Sequence, residues 1–210
     1  MTGASAGAVA AACEATEVDF EEFVKNVIEQ CETIRLWARP LGLVGVLGSI
    51  TERVLESMLP PDSHHRMKQR HASVLIQPAN FLRESIQRVS SFRSKKSLIS
   101  ALTASSHIPF LVNGRARAVF EGKAYIDGAL FSSDDDFVDS RLDAPSLKID
   151  FANDPAMMDK NLLDCVKTPS RDEIWQIYRT GYMFAKNMDR KDQFECLTPR
   201  LIPFQRAQTV

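Results

Sequence analysis

Apolar side chains recur at helical spacing across residues 19–37. Phe20, Phe23, Val24, Val27, Ile28, Cys31 and Ile34 fall on an i, i+3, i+4, i+7 pattern, which is one stripe of a 3.6-residue repeat. Pro40 closes this segment, since proline cannot continue a helix. Residues 50–58 predict a shorter helix ended by Pro60 and Pro61. The run Ser-Val-Leu-Ile-Gln at 73–77, stopped by Pro78, reads as a buried strand. Residues 95–105 predict a helix that must stop before Pro109. Residues 117–120 and 123–126 flank Glu121-Gly122, the pattern of a hairpin. Residues 147–151 alternate as a strand does, and 170–188 predict a long final helix with Ile174, Ile177, Tyr178, Gly181 and Tyr182 on one face. At the start, residues 3–13 read as a tight turn followed by an Ala-rich helix. Strands interleaved with helices argue for an α/β fold. With no internal repeat and no clear linker, a single domain over residues 1–210 is expected.

Composition narrows the function classes. Hydrophobic residues make up 44% and charged residues 25% of the 210, values of a globular domain and not of a disordered chain. Lys+Arg is 26 against 27 Asp+Glu, a net charge of -1, which gives no global signal for nucleic acid. The longest apolar run, 41–50, is interrupted by Gly42, Gly45 and Gly48 and falls short of the roughly 18 residues a spanning helix needs. The small apolar residues before Cys13 lack the basic flank and the leucines of a signal peptide. Cys13, Cys31, Cys165 and Cys196 form no CxxC pair and are expected to be reduced thiols in a cytoplasmic compartment.

Charge is unevenly spread. Residues 61–100 carry eight Lys/Arg against Asp62 and Glu84, while residues 121–165 carry eleven acids against four cations. The basic half either meets anionic headgroups or is a solvated face offset by the acidic half.

Gly3-Ala4-Ser5-Ala6-Gly7 matches G-x-S-x-G. That motif suits a sharp strand-to-helix turn that lifts a serine oxygen above a sheet, with small neighbours because the backbone is crowded there. The alternative is a disordered Gly/Ala/Ser-rich terminus. A serine nucleophile needs a base, yet His64, His65, His71 and His107 all precede Asp127, so a triad ordered Ser, Asp, His cannot be drawn with it. Asp127-Gly128-Ala129 follows a strand-like run. It offers an uncrowded carboxylate at a strand end, or a plain Asp-Gly turn. The acids at 134–136 lack calcium-loop spacing, and His64, His65 and His71 lack a fourth ligand at zinc spacing; no metal is expected. Residues 41–58 could be a lipid-facing flap or ordinary core.

Together GASAGA, KSLISALTASSHIPF and GKAYIDGAL resemble the patatin-like phospholipase family, which pairs a G-x-S-x-G nucleophile with a D-G-[AG] base. Between them lies a stretch of the type A-x-x-A-S-x-x-I-P, matched by Ala101 to Pro109. The resemblance covers about residues 1–131; residues 152–210 are compatible as a helical part but carry no motif. It implies a three-layer α/β/α sandwich, with Ser5 as nucleophile, Asp127 as general base and the Ala6 amide as a partial oxyanion donor. It implies lipid acyl hydrolysis of phospholipids, galactolipids or triacylglycerol, with no metal or cofactor. The substrate would sit at a membrane or lipid-droplet surface, approached peripherally from the cytoplasm. Family members also carry an upstream strand and a glycine-rich oxyanion loop, whereas only Met1 and Thr2 precede Gly3 here. The expectation is therefore a fold lacking that strand and loop, in an incomplete and weakly active chain. The alternative is an inactive remnant that binds lipid surfaces or protein.

Overall fold

The computed structural model describes residues 1–138, 147–150 and 167–191. The chain enters through a short strand, β1 (Thr2–Ala4), and turns at Ser5 into α1 (Ala6–Thr16). Helix α2 (Phe20–Thr33) starts where the Asp19 carboxylate accepts from the Glu22 amide at 2.9 Å, a side-chain N-cap. The helix expected over 19–37 is broken in two. Arg35 takes a left-handed conformation and a 3-10 turn follows at Leu36–Ala38. The break drops Leu36 into a small apolar cluster with Cys31, Ile50 and Val54, so tertiary packing overrides the local periodicity. Helix α3 (Leu47–Met58) turns Ile50, Val54 and Leu55 into the core and leaves Glu52, Arg53, Glu56 and Ser57 exposed.

Helix α4 (Ser63–Gln69) leads into β2 (Ser73–Pro78), every residue of which is buried. Next come β3 (Gln87–Val89), α5 (Lys95–Ser105), β4 (Ala118–Phe120) and β5 (Lys123–Ile126). Glu121 and Gly122 both have positive φ, which is the backbone a two-residue type I′ hairpin requires, and Phe120 pairs with Lys123 as the sequence pattern predicts. A one-turn helix, α6 (Asp134–Phe137), holds the acids at 134–136. The long α7 (Arg171–Arg190) opens on a Ser170–Glu173 capping box.

The sheet is mixed. β1 runs parallel to β2, while β3 and β5 are antiparallel to it, and β4 pairs β5. The strand expected to be missing before Ser5 is present as three residues: Thr2, Gly3 and Ala4 register with Ser73, Val74 and Leu75. They form because the edge of β2 offers unpaired backbone groups that need partners. Around this sheet α1 packs on β1 and α5 packs on β2 and β4. Val74, Ile76, Leu98 and Leu102 meet there with Ala8, Ala12 and Met67 in the main core.

One further expectation fails. Residues 147–150 form no strand: Lys148 pairs with Asp134 and Asp150 and Ile149 is exposed, so alternation found no sheet edge to bind. Phe151 and the helical part expected at 152–166 lie outside the described residues, as do Cys165, Cys196 and 192–210. The helix expected over 170–188 is present as α7, on which Ile177 and Tyr182 are exposed. Its start is held by Arg171, which stacks 5.1 Å over Trp37 and pairs with Glu32. No helix among the described residues is long and apolar enough to cross a membrane.

Candidate active site

The strand-to-helix turn places Ser5 in a rare conformation, φ 52° and ψ -128°. Such a backbone persists only where its surroundings hold it. Gly3 provides the crowding: a Cβ there would lie 2.2 Å from the Gly7 carbonyl oxygen. The small Ala4 is buried beside it, while Ser5 is half-buried. The Ser5 carbonyl accepts from the Ala8 and Val9 amides. The Ala6 amide is among the first four of α1, which lack intrahelical carbonyl partners and carry partial positive charge.

Asp127 follows β5 and is 2% exposed. Its amide donates to the His107 carbonyl at 2.9 Å, and the Gly128 amide donates to the Ser105 carbonyl at 3.0 Å. Gly128 lies so close to β2 that a Cβ would meet the Leu75 oxygen at 2.2 Å. The end of α5 thus sets the turn that aims the carboxylate. Asp127 Oδ1 accepts from the Ala129 amide at 2.8 Å, and Oδ2 accepts from Ser5 Oγ at 2.7 Å. The structure therefore brings together Ser5 and Asp127, which stand 122 positions apart in the chain. Burial pushes the Asp127 carboxyl above the ordinary carboxylate range, and the hydrogen bonds from Ala129 and Ser5 pull against that shift without cancelling it.

Sequence reasoning missed Ser105. Its hydroxyl accepts from the Ser5 amide at 2.9 Å and donates to the Leu75 carbonyl at 2.7 Å, so one fully buried side chain ties the serine turn to the central strand. The signal was present: Ser105 is the serine of the Ala101 to Pro109 stretch, whose role no spacing argument reveals. Ser105→Ala is expected to cost about 1–3 kcal/mol, because the Ser5 N–H and the Leu75 carbonyl both lose a partner. Urea denaturation of variant and parent measures this, and an unchanged midpoint would remove Ser105 from the support of the turn.

The other candidates are otherwise engaged. The His107 ring is fully buried with Nε2 3.1 Å from the Arg115 carbonyl oxygen, and burial lowers its pKa; it reaches the site through its backbone. The His64 and His65 rings lie against each other, centroids 4.0 Å apart and planes tilted by 38°. Asp134 pairs with Lys148, and Asp136 accepts from both the Ser133 amide and its hydroxyl. Cys13 and Cys31 are buried free thiols, that of Cys13 pushed up to about 12 by burial.

A family model described as patatin-like phospholipase matches residues 1–135, a span that holds the serine turn, the α5 stretch and Asp127. The chain belongs to the patatin-like phospholipase family. No curated protein matches it. The patatin-like fold is of the α/β/α kind, and its members are lipid acyl hydrolases. In this patatin-like chain the two motif residues meet part-way along β2: Ser5 follows Ala4, which registers with Leu75, and Asp127 follows Ile126, which registers with Gln77, so both come level with Ile76.

Proposed function

We propose that Ser5 is the nucleophile and Asp127 the general base of a carboxylic ester hydrolase. Its substrates are fatty acyl esters of phospholipids, galactolipids or triacylglycerol at a membrane or lipid-droplet surface. The observation that carries this reading is the 2.7 Å hydrogen bond from Ser5 Oγ to Asp127 Oδ2 at a strained strand-to-helix turn. As Oγ attacks the ester carbonyl, its proton passes to Oδ2. The carbonyl oxygen gains negative charge and faces the Ala6 amide and the start of α1, where a preorganised donor and the helix dipole favour it. Collapse breaks the bond to the alcohol, which leaves with the proton that Asp127 held. An acyl group remains on Ser5. Water then gives a proton to Asp127 and attacks the acyl carbon, which releases the fatty acid, and the proton returns to Oγ. Ala129 keeps the carboxylate oriented through its amide.

Only the ionised carboxylate can take the proton, and its pKa is raised. The rate at which a fluorophosphonate labels Ser5 should therefore fall on the acid side at a pH above the ordinary carboxylate range. Labelling at Ser5, mapped by peptide mass spectrometry across pH, tests both nucleophile and base. A chain that takes no label on Ser5 would instead be the inactive, surface-binding form of the family.

A further inference from the structure

The loop that leaves β2 carries exposed apolar side chains. Ser5 and Asp127 stand level with Ile76, and β2 runs on to Pro78 before the loop of residues 79–84 begins. Phe81 stacks on Phe131, with ring centroids 4.6 Å apart and planes 13° from parallel. Phe131 stands four residues after Asp127. Despite this contact Phe81 is 45%, Phe131 53% and Leu82 87% exposed. The same loop lends Asn80 and Glu84 to a cavity of about 410 Å³, which Arg117, just before β4, and Lys123 of β5 also line. Among the described residues neither cation is in an ion pair, and the same holds for Arg83, next to Leu82. Glu84 is the acid in the cavity. Beyond Phe131, Asp134 is neutralised by Lys148 and Asp136 is held by Ser133, which leaves Asp135 facing no cation. Large apolar side chains clustered in the open and flanked by unpaired cations match a surface with an apolar interior and anionic headgroups.

We infer that Phe81, Leu82 and Phe131 dock the chain onto an anionic phospholipid bilayer, with Arg83, Arg117 and Lys123 facing the headgroup phosphates. The inference rests on the lipid-directed reading of the Ser5–Asp127 site, but its test reads binding and not turnover. The intact chain is sedimented with vesicles of ether-linked phosphatidylcholine, with or without ether-linked phosphatidylglycerol; ether lipids offer no ester to cleave. The chain should partition onto the anionic vesicles at least tenfold better than onto the neutral ones. Phe81→Ser with Leu82→Ser should weaken that partitioning at least tenfold. Arg117→Gln with Lys123→Gln should remove most of the preference for anionic lipid. Hydrolysis of a soluble short-chain p-nitrophenyl ester should be unchanged in both double variants, which also shows that they fold. Vesicle binding by a chain that hydrolyses no soluble ester would sink the hydrolase reading and leave the docking surface standing. Leu82→Trp adds a reporter whose emission should shift to the blue on the anionic vesicles. Equal partitioning of the Phe81/Leu82 variant, or an unshifted Trp emission, overturns the inference. So does loss of self-association in place of vesicle binding, which would make a second copy of the chain the occupant.

Discussion

Asp127→Asn should lower the rate of Ser5 phosphonylation and of soluble ester hydrolysis by about 10²–10⁴-fold, the range for loss of a positioned general base. The geometry explains why so small a change acts so strongly. Oδ1 accepts from the Ala129 amide and Oδ2 accepts from Ser5 Oγ. An asparagine has a single acceptor oxygen. With that oxygen toward the Ala129 N–H, its NH₂ faces Ser5 and can only donate, so Oγ has nowhere to send its proton. The acid limb of the pH profile should disappear in the variant along with the rate. Stability should move the other way. Because the native pKa is raised, the folded state holds that proton more tightly than the unfolded chain does. Asp127 therefore makes stability fall as pH rises from the ordinary carboxylate range through the native value. Above that window the buried charge opposes folding, and Asp127→Asn should unfold at no lower urea concentration than the parent. Undiminished labelling of Ser5 in a folded Asp127→Asn chain would assign the base elsewhere.

Gly3→Ala is expected to be the most damaging change per atom added. Its new methyl would sit 2.2 Å from the Gly7 oxygen, 2.4 Å from the Gly7 carbonyl carbon and 2.6 Å from the Ala8 nitrogen. All three are backbone atoms, so relief requires β1 and the start of α1 to part. A loss of about 3 kcal/mol is expected, at the upper end for overpacking and a large fraction of the roughly 5–15 kcal/mol that holds a domain folded. Ser5 labelling should fall with it, because the turn that presents Oγ is the part displaced. Gly7→Ala is the control: nothing lies within 4 Å of a Cβ there, and alanine suits a helix better than glycine does. The two urea midpoints, measured side by side, decide the matter. A Gly3→Ala chain as stable as Gly7→Ala would mean that the turn opens without cost.

The elements legible from sequence were those whose local signals agree with their packing. The β4–β5 hairpin needed only Glu121-Gly122 between two short strands, β2 needed only a buried run before Pro78, and α5 needed only a stop before Pro109. Residues 147–150 misled because alternation describes a surface that could pair and not a neighbour that does. Arg35 misled because an apolar repeat continues through Ile34 while the chain gains more by turning Leu36 inward. At the site, Ser5 and Asp127 were visible as motifs. Ser105 was not, because its importance is a matter of two backbone groups that come to it from positions 5 and 75. β1 was underrated for the same reason: its few residues hold only through a partner some 71 positions away, as the Thr2–Ser73 contact shows.

That distance in sequence bears on the order of events as the chain folds. The contacts that join Ser5 to its partners close long loops: 122 positions for Asp127 and 100 for Ser105. Loop-closing contacts are costly in chain entropy and are made after local ones. The pairing of Ser5 with Asp127 thus depends on β2, to which Ser105 and Gly128 are both held through Leu75.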